Sequence, residues 1–382
     1  MYGCNFLNRN QVDISYEKND KINNLVKFLT KPPHFIELGS MLVTLEKHDG
    51  RLRKENEILE TFFDFIINDL RLTSILNKSW IDLVWDLSKN PTGFAVYFET
   101  NAKQISAKWK TGSSVVFQHV AGTLVKGLDL YGLDHGVWYF AGVGKPNAPV
   151  YQEANLVKEM DGNMRQYLLY LPDYETCDSL FIGIEEGATI QKPQQNYFEG
   201  QKPLVVYGTS IVQGASAMRP GMAYPAQLER RLGRETINLG FSGNGQLDSM
   251  LAVIMSGIDA SMYVIDCGPN LTTAMAQEKT VPFLRQLHAL KPSVPILIVE
   301  NIMYPTAKFN LVTRQKINEV NQIFKNAYTL LKKEGMHNLH YLETTNLIGE
   351  DGEATVDGSH MTDLGFYRIT LAIERKIRSI EK

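Results

Sequence analysis

A serine, a histidine and an aspartate stand at positions from which they could act together in nucleophilic catalysis. Ser210 follows the apolar run 204–207 across Gly208, and Asp357 lies three residues before His360 near the end of the chain. A serine hydroxyl is a weak nucleophile until an imidazole takes its proton, and a carboxylate can hold that imidazole in the required tautomer. Asp357 and His360 are close enough on one turn for both to reach the loop of Ser210.

Three further groups could bind the negative charge that develops on an oxygen during acyl transfer. The candidates are the backbone N–H groups of Ser210 and Gly243 and the side-chain amide of Asn270. Such donors act as an oxyanion hole, and each contributes on the order of a hundredfold in rate. Taken alone, each candidate is more often a cap or turn residue. The ordered set is what favours catalysis.

The elements that must position these residues have the pattern of a parallel α/β sheet. Apolar runs alternate with helical stretches from residue 200 to the end, and near-continuous apolar runs are typical of strands buried on both faces. The predicted strands cover 204–207, 236–239, 262–265 and 296–299, with another ending near 341, and the predicted helices cover 226–232, 277–290, 315–333 and 364–377. Parallel sheets carry their sites at the carboxyl ends of the strands, where the candidate residues lie.

The chain before this sheet divides into two further segments. Residues 1–78 contain Ile58, Phe62, Phe65, Ile66 and Leu70 at helical spacing, which predicts a mostly helical N-terminal segment. Short strand-like runs separated by turn residues predict an antiparallel β-sandwich over 79–192. Its predicted strands cover 93–100, 104–110, 115–117, 137–140, 167–171 and 179–184. A polar linker leads from there to the predicted catalytic domain, 200–382.

The composition excludes several other classes of protein. The 382 residues carry a net charge of −3 and 44% hydrophobic residues, which gives no basic excess for a nucleic acid partner. Three cysteines and eight histidines without ligand spacing predict neither a metal site nor any cofactor. No apolar run is long enough for a membrane span. The N-terminus as written lacks a signal peptide, which predicts a cytoplasmic protein; if the true start lies upstream, Gly3-Cys4 would fit an exported or lipid-anchored one.

The order Ser210, Gly243, Asn270, Asp357-x-x-His360 resembles the SGNH (GDSL-type) hydrolases, whose four sequence blocks contribute serine, glycine, asparagine and histidine. The pentapeptide 127–131, Gly-Leu-Asp-Leu-Tyr, resembles a motif of the β-sandwich that precedes the hydrolase domain in one branch of that family. The resemblance implies a flavodoxin-like three-layer α/β/α domain. It also implies a triad of Ser210, Asp357 and His360, with oxyanion donors from Ser210, Gly243 and Asn270. Two positions depart from the family pattern: Thr209 replaces an aspartate, and Leu271 replaces the aspartate after the asparagine.

By this resemblance we expect a metal-independent serine esterase that removes acetyl or other short acyl groups from a carbohydrate or similar alcohol. Two alternatives stay open. The same triad would serve an acyltransferase if an alcohol, instead of water, captured the acyl-enzyme. The chain could also be a carbohydrate-binding protein with a vestigial hydrolase domain, although the intact Ser210, Asp357 and His360 argue against it. The sequence does not indicate the oligomeric state. His119 and Tyr131 are predicted to line the cleft from the sandwich.

Overall fold

The computed structural model of the chain describes residues 83–84, 86–112, 117–198, 200–345 and 347–382. The predicted helical segment 1–78 lies outside the described residues, as do Val115 and Val116 of one predicted strand.

Eight antiparallel strands form the first part of the described chain. Neighbouring strands pair in two sheets, a five-stranded sheet of order β4-β3-β6-β1-β8 and a three-stranded sheet of order β5-β2-β7. The elements are β1 (Ala95–Thr100), β2 (Ile105–Thr111), α1 (Gly122–Val125), β3 (Leu128–Asp134), β4 (Val137–Gly144), β5 (Tyr151–Val157), β6 (Arg165–Tyr170), β7 (Cys177–Gly183) and β8 (Ile190–Gln191). The predicted antiparallel sandwich is therefore confirmed.

The central strands of the five-stranded sheet are buried on both faces. One face packs on the three-stranded sheet, where Phe98, Trp109 and Leu169 share a core. The opposite face carries Tyr97 and Tyr170, which pack against residues of the following part of the chain. All six residues of β1 are consequently buried, which explains why the sequence 93–100 lacks clear polar–apolar alternation.

The second part of the described chain is a parallel sheet flanked by helices. Its five strands have the order β10-β9-β11-β12-β13, and every pair is parallel. The elements are β9 (Leu204–Gly208), α2 (Ser210–Gln213), α3 (Tyr224–Leu232), β10 (Thr236–Gly240), α4 (Ser249–Ser256), β11 (Met262–Asp266), α5 (Thr273–Leu290), β12 (Ile296–Val299), α6 (Leu311–Lys333), β13 (Leu339–Leu342) and α7 (Asp363–Ile380). This 2-1-3-4-5 order is flavodoxin-like, as predicted, and its switch point lies between β9 and β11.

Side chains from successive residues of β9 enter separate cores on the two faces of this sheet. Val206 packs with Phe366 of α7 on one face, and Tyr207 packs with Phe283 of α5 on the other. Helices therefore cover both faces, and the carboxyl edge of β9 is left for the loop that carries Ser210. None of the described helices is long and apolar enough to cross a membrane.

Candidate active site

A tight turn after β9 presents Ser210. A Cβ at Gly208 would overlap the backbone oxygen of Asp266 on the neighbouring strand, so only glycine fits there. The chain then enters the short helix α2, whose first residue is Ser210. The Thr209 hydroxyl accepts a hydrogen bond from the N–H of Ile211 at 3.3 Å and caps this helix. The serine is 7% exposed, and the backbone N–H of a first helical residue has no partner within its helix.

Ser210, His360 and Asp357 form a continuous chain of contacts across the carboxyl edge of the sheet. The Ser210 Oγ lies 2.9 Å from His360 Nε2, and His360 Nδ1 lies 2.7 Å from Asp357 Oδ2. Burial of the Asp357 carboxylate opposes its ionisation. The hydrogen bonds that it accepts from His360 and from the N–H of Ser359 outweigh that effect and lower its pKa to about 2. The aspartate is therefore ionised near neutral pH and can stabilise a positive charge on His360.

The loop that carries Asp357 and His360 is held from both sides. The other carboxylate oxygen of Asp357, Oδ1, accepts the backbone N–H groups of Ser359 and His360 at 2.9 and 2.8 Å. The Thr306 hydroxyl donates to the Gly358 oxygen at 3.1 Å, which ties this loop to the segment after β12. These contacts fix the distance between the two triad side chains on the loop.

The predicted oxyanion donors lie on loops beside the nucleophile turn. Asn270 Oδ1 accepts the N–H of Gly245 at 3.2 Å, which leaves the Nδ2 hydrogens of the amide for another acceptor. Gly243 lies on the same loop as Gly245 and has φ of 74°, a conformation that side chains rarely adopt. Gln213 holds this loop against α2, because its Oε1 accepts the N–H of Ser242 at 2.9 Å. Asn270 is thereby oriented as a donor by a contact that its oxygen makes.

Comparison with known proteins decides the family. Residues 201–378 match the model of the GDSL-like lipase/acylhydrolase family, and residues 68–190 match the model described as the N-terminus of SGNH-type esterases. A GDSL-like lipase from Bacteroides ovatus ATCC 8483 is 38% identical in sequence. The match covers 78% of this chain and 87% of that one, with a TM-score of 0.75. The chain belongs to the GDSL-like lipase/acylhydrolase family. It is an enzyme of the SGNH esterase type.

Two more distant solved structures share the fold. The salicylyl-acyltransferase SsfX3 from a tetracycline biosynthetic pathway is 17% identical, with a TM-score of 0.63 over 78% of this chain and 86% of that one. A family two carbohydrate esterase from Clostridium thermocellum is 11% identical, with a TM-score of 0.51 over 75% of this chain and 92% of that one. No curated protein matches the sequence.

The two departures from the GDSL pattern have structural explanations in this chain. Thr209 occupies the position of the usual aspartate and still caps α2 through its hydroxyl. Leu271 occupies the position of the second aspartate and is fully buried in the core beneath the sheet, together with Phe241 and Ile265. Neither Thr209 nor Leu271 takes part in the contact of Ser210 with His360 or in that of Asn270 with Gly245.

The sandwich contributes side chains to the surroundings of the GDSL triad. The ring of His119 stacks on the ring of His360, with centroids 4.9 Å apart and an angle of 27° between the planes. The Tyr174 hydroxyl donates to the backbone oxygen of Ser210 at 3.3 Å. His119 is itself held by the Ser216 hydroxyl, which donates to its backbone oxygen at 2.8 Å. The structure therefore brings His119, one of the two predicted cleft residues, into contact with the triad.

Tyr131, the other predicted cleft residue, lies between the sandwich and the hydrolase part instead of beside the triad. It is 5% exposed, and Arg219 donates to its hydroxyl at 2.8 Å. The same Arg219 nitrogen lies 2.8 Å from each carboxylate oxygen of the buried Asp129, and the N–H of Gly221 donates to Asp129 as well. No local sequence pattern indicates Arg219, which is a lone cation in the run 215–223.

A buried carboxyl group lies directly behind the nucleophile turn. Asp266 ends β11, pairs in register with Gly208, and accepts a hydrogen bond from the Tyr224 hydroxyl at 3.0 Å. Burial raises the pKa of Asp266 to about 7, although the bond from Tyr224 acts in the opposite direction. Near neutral pH this group is therefore partly protonated, which reduces the negative charge beside the turn that carries Ser210.

His119, Asp357 and His360 also form a group with potential metal ligands. One ligand atom from each lies within 4.8 Å of the others, and within the described ranges this is the one such group of histidine, cysteine and acidic residues. Spacing along the sequence could not reveal it, because His119 lies on a turn between β2 and α1, far in sequence from Asp357 and His360. Asp357 is already in hydrogen-bond contact with His360, and His360 is in hydrogen-bond contact with Ser210. These contacts match a Ser-His-Asp triad.

Proposed function

We propose that this protein hydrolyses short-chain esters, acetyl esters of a carbohydrate or similar alcohol in the first instance, through an acyl-enzyme on Ser210. The observation that carries the proposal is the unbroken contact from Ser210 Oγ through His360 to the ionised Asp357. Membership of the GDSL-like family supports ester chemistry. The choice of a carbohydrate ester agrees with the family two carbohydrate esterase that shares the fold.

In the acylation step, Ser210 Oγ attacks the carbonyl carbon of the ester while His360 Nε2 takes the hydroxyl proton. The ester carbonyl oxygen becomes an oxyanion, and the N–H groups of Ser210 and Gly243 and the Asn270 amide stabilise it. Collapse of this intermediate breaks the bond to the alcohol. The imidazolium of His360 gives its proton to the departing alkoxide, and the alcohol leaves.

Deacylation repeats these steps with water in place of the serine. His360 takes a proton from a water molecule, the resulting hydroxide attacks the acyl carbon, and Ser210 recovers its proton as the carboxylic acid leaves. Asp357 stays ionised throughout and stabilises the imidazolium in both half-reactions, in line with its lowered pKa. No step requires a metal ion or a cofactor.

We further propose that His119 recognises the alcohol part of the ester. Its ring lies on the His360 ring, and His360 Nε2 is the group that protonates the departing alcohol. A polar group at this position is within reach of hydroxyls next to the scissile bond. The sandwich would thus help to build the cleft, and the Tyr174 contact with Ser210 supports the same arrangement.

Acetylated sugars and a small acetate ester should distinguish this role. In His119→Ala we expect KM for an acetylated sugar to rise about five- to tenfold, the value of one lost hydrogen bond. The KM for p-nitrophenyl acetate should stay within about twofold, because that ester has no sugar hydroxyls. Gln118→Ala, an exposed neighbour, is the matched control. An equal fall in kcat for both esters would show that His119 acts through His360 and not on the alcohol. If wild type hydrolysed no acetylated sugar, the proposed substrate class would be wrong.

Activity should survive metal chelators. The proposed mechanism uses only the three triad side chains and the oxyanion donors. Both ring nitrogens of His360 are engaged, one with Asp357 and one with Ser210, and are therefore not free to bind a metal ion. We expect turnover after dialysis against EDTA to equal that of untreated enzyme. Reproducible loss of activity, restored by one particular metal ion, would contradict a metal-independent mechanism.

A further inference from the structure

Three strongly exposed apolar side chains lie at a loop tip on the active-site edge of the molecule. Residues 308–316, called the tip below, join the short 3₁₀-helix after β12 to the first turns of α6. Phe309 is 91% exposed, Val312 is 80% exposed and Leu311 is 61% exposed. Three large apolar side chains this exposed and this close in sequence are costly in water unless something covers them.

The tip also carries three exposed cations, Lys308, Arg314 and Lys316. None of them pairs with a carboxylate of the described residues, whereas Lys325 further along the same helix pairs with Glu343 at 2.7 Å. The nearest acidic side chain in sequence, Glu319, accepts bonds from Thr273 and Gln315 at 2.6 and 2.8 Å and is therefore engaged elsewhere. Within the described part of the chain, no carboxylate therefore pairs with the positive charges of the tip.

We propose that the tip docks on an anionic lipid bilayer. Apolar side chains that insert among acyl chains, flanked by lysine and arginine that meet anionic headgroups, are the combination by which peripheral proteins bind membranes. This binding needs no spanning helix. Membrane binding does not depend on which ester the protein hydrolyses, because vesicle binding is measured without catalysis.

A second copy of the chain fits the tip less well. A symmetric dimer through this surface would bring the same three cations of each copy towards one another, and like charges across an interface oppose association. A substrate pocket fits poorly too, since a ring that is 91% exposed has little protein around it. An anionic bilayer offers acyl chains to the apolar side chains and negatively charged headgroups to the basic ones.

The tip is coupled to the triad through a short path. Thr306, two residues before the tip, donates to the oxygen of Gly358, which lies between Asp357 and His360. Docking would therefore bring the triad edge of the sheet close to the bilayer. Esters held at or near that surface would then meet Ser210 at a raised local concentration.

Co-sedimentation of the full chain with vesicles tests the proposal. The vesicles are phosphatidylcholine alone and an equal mixture of phosphatidylcholine and phosphatidylglycerol, at low and high salt. The apolar tip variant combines Phe309→Ser, Leu311→Ser and Val312→Ser. The charge variant combines Lys308→Gln, Arg314→Gln and Lys316→Gln. The matched control removes exposed apolar groups from the sandwich and combines Tyr139→Ser, Tyr151→Ser and Met164→Ser.

We expect the wild-type protein to sediment with the anionic vesicles and to remain in the supernatant with the neutral ones. Each tip variant should lower the partition coefficient on the order of a hundredfold, from three lost charges or three lost apolar groups. The sandwich variant should bind like wild type. All three variants should hydrolyse a soluble ester at near wild-type rates, which shows that they are folded.

Several results would overturn the proposal. The proposal would be wrong if the wild-type protein did not bind anionic vesicles. It would also be wrong if the apolar tip variant bound them as well as wild type does. A dimer seen by analytical ultracentrifugation, and lost only in the apolar tip variant, would identify a second copy as the occupant. Lost hydrolysis of the soluble ester with retained vesicle binding would place the tip in the substrate site instead.

Discussion

Replacing Ser210 with alanine should abolish ester hydrolysis while the fold remains intact. In triads of this type, loss of the nucleophile lowers kcat on the order of a millionfold, because the remaining groups cannot act without it. The Ser210 Oγ makes its contact with His360 Nε2 at 2.9 Å, and the turn around it depends on Gly208 and Thr209 instead. We therefore expect the thermal unfolding midpoint of Ser210→Ala to match that of wild type.

Initial rates on p-nitrophenyl acetate, with circular dichroism as the control for folding, measure this effect. Residual hydrolysis should be no faster than that of a preparation from cells lacking the gene. A folded Ser210→Ala protein that keeps even a tenth of the wild-type rate would remove the serine from the mechanism.

Replacing Asn270 should lower kcat on the order of a hundredfold with little change in KM. An oxyanion donor stabilises charge that exists only in the transition state, so substrate binding is hardly affected. The amide has a second role, because its Oδ1 accepts the N–H of Gly245 at 3.2 Å and so helps to hold the neighbouring loop. Asn270→Ala removes both contributions together.

Asn270→Asp separates the two roles of this side chain. The aspartate keeps an oxygen for Gly245 but replaces the donating Nδ2 by a second acceptor with negative charge. We expect it to lose at least as much kcat as Asn270→Ala does. Asn244→Ala, whose amide donates to the Ser242 oxygen within the same loop, is the control and should lose less. If Asn270→Asp were nearly as active as wild type, or if only KM changed, Asn270 would not be an oxyanion donor.

Most of the catalytic sheet could be predicted from the sequence because its strands are short apolar runs. The five predicted strands correspond to β9, β10, β11, β12 and β13, and their parallel orientation follows from the strand–helix alternation. Helix α4 was missed, because Ser249–Ser256 is apolar almost throughout and shows little helical periodicity. Strand β5 was missed as well: the polar Gln152 is one of its buried residues, which hides the alternation.

Part of the candidate site could also be predicted from the sequence. The three triad residues and Asn270 lie on loops that follow strands, and local sequence patterns indicate them there. The contacts of His119 with His360 and of Arg219 with Asp129 join residues far apart in sequence, and no local pattern reports such pairs. The predicted domain boundaries near residues 79, 192 and 200 stay predictions, as do the catalytic roles of the site residues.

Covalent labelling shows whether Ser210 is the nucleophile. The full chain is treated with a fluorophosphonate, which forms a stable adduct only with a serine that a neighbouring base activates, and the labelled residue is located by peptide mass spectrometry. We expect a single adduct on Ser210, no adduct in Ser210→Ala and strongly slowed labelling in His360→Ala. An adduct on a different residue, or full ester hydrolysis in a sample that takes up no label, would contradict this expectation.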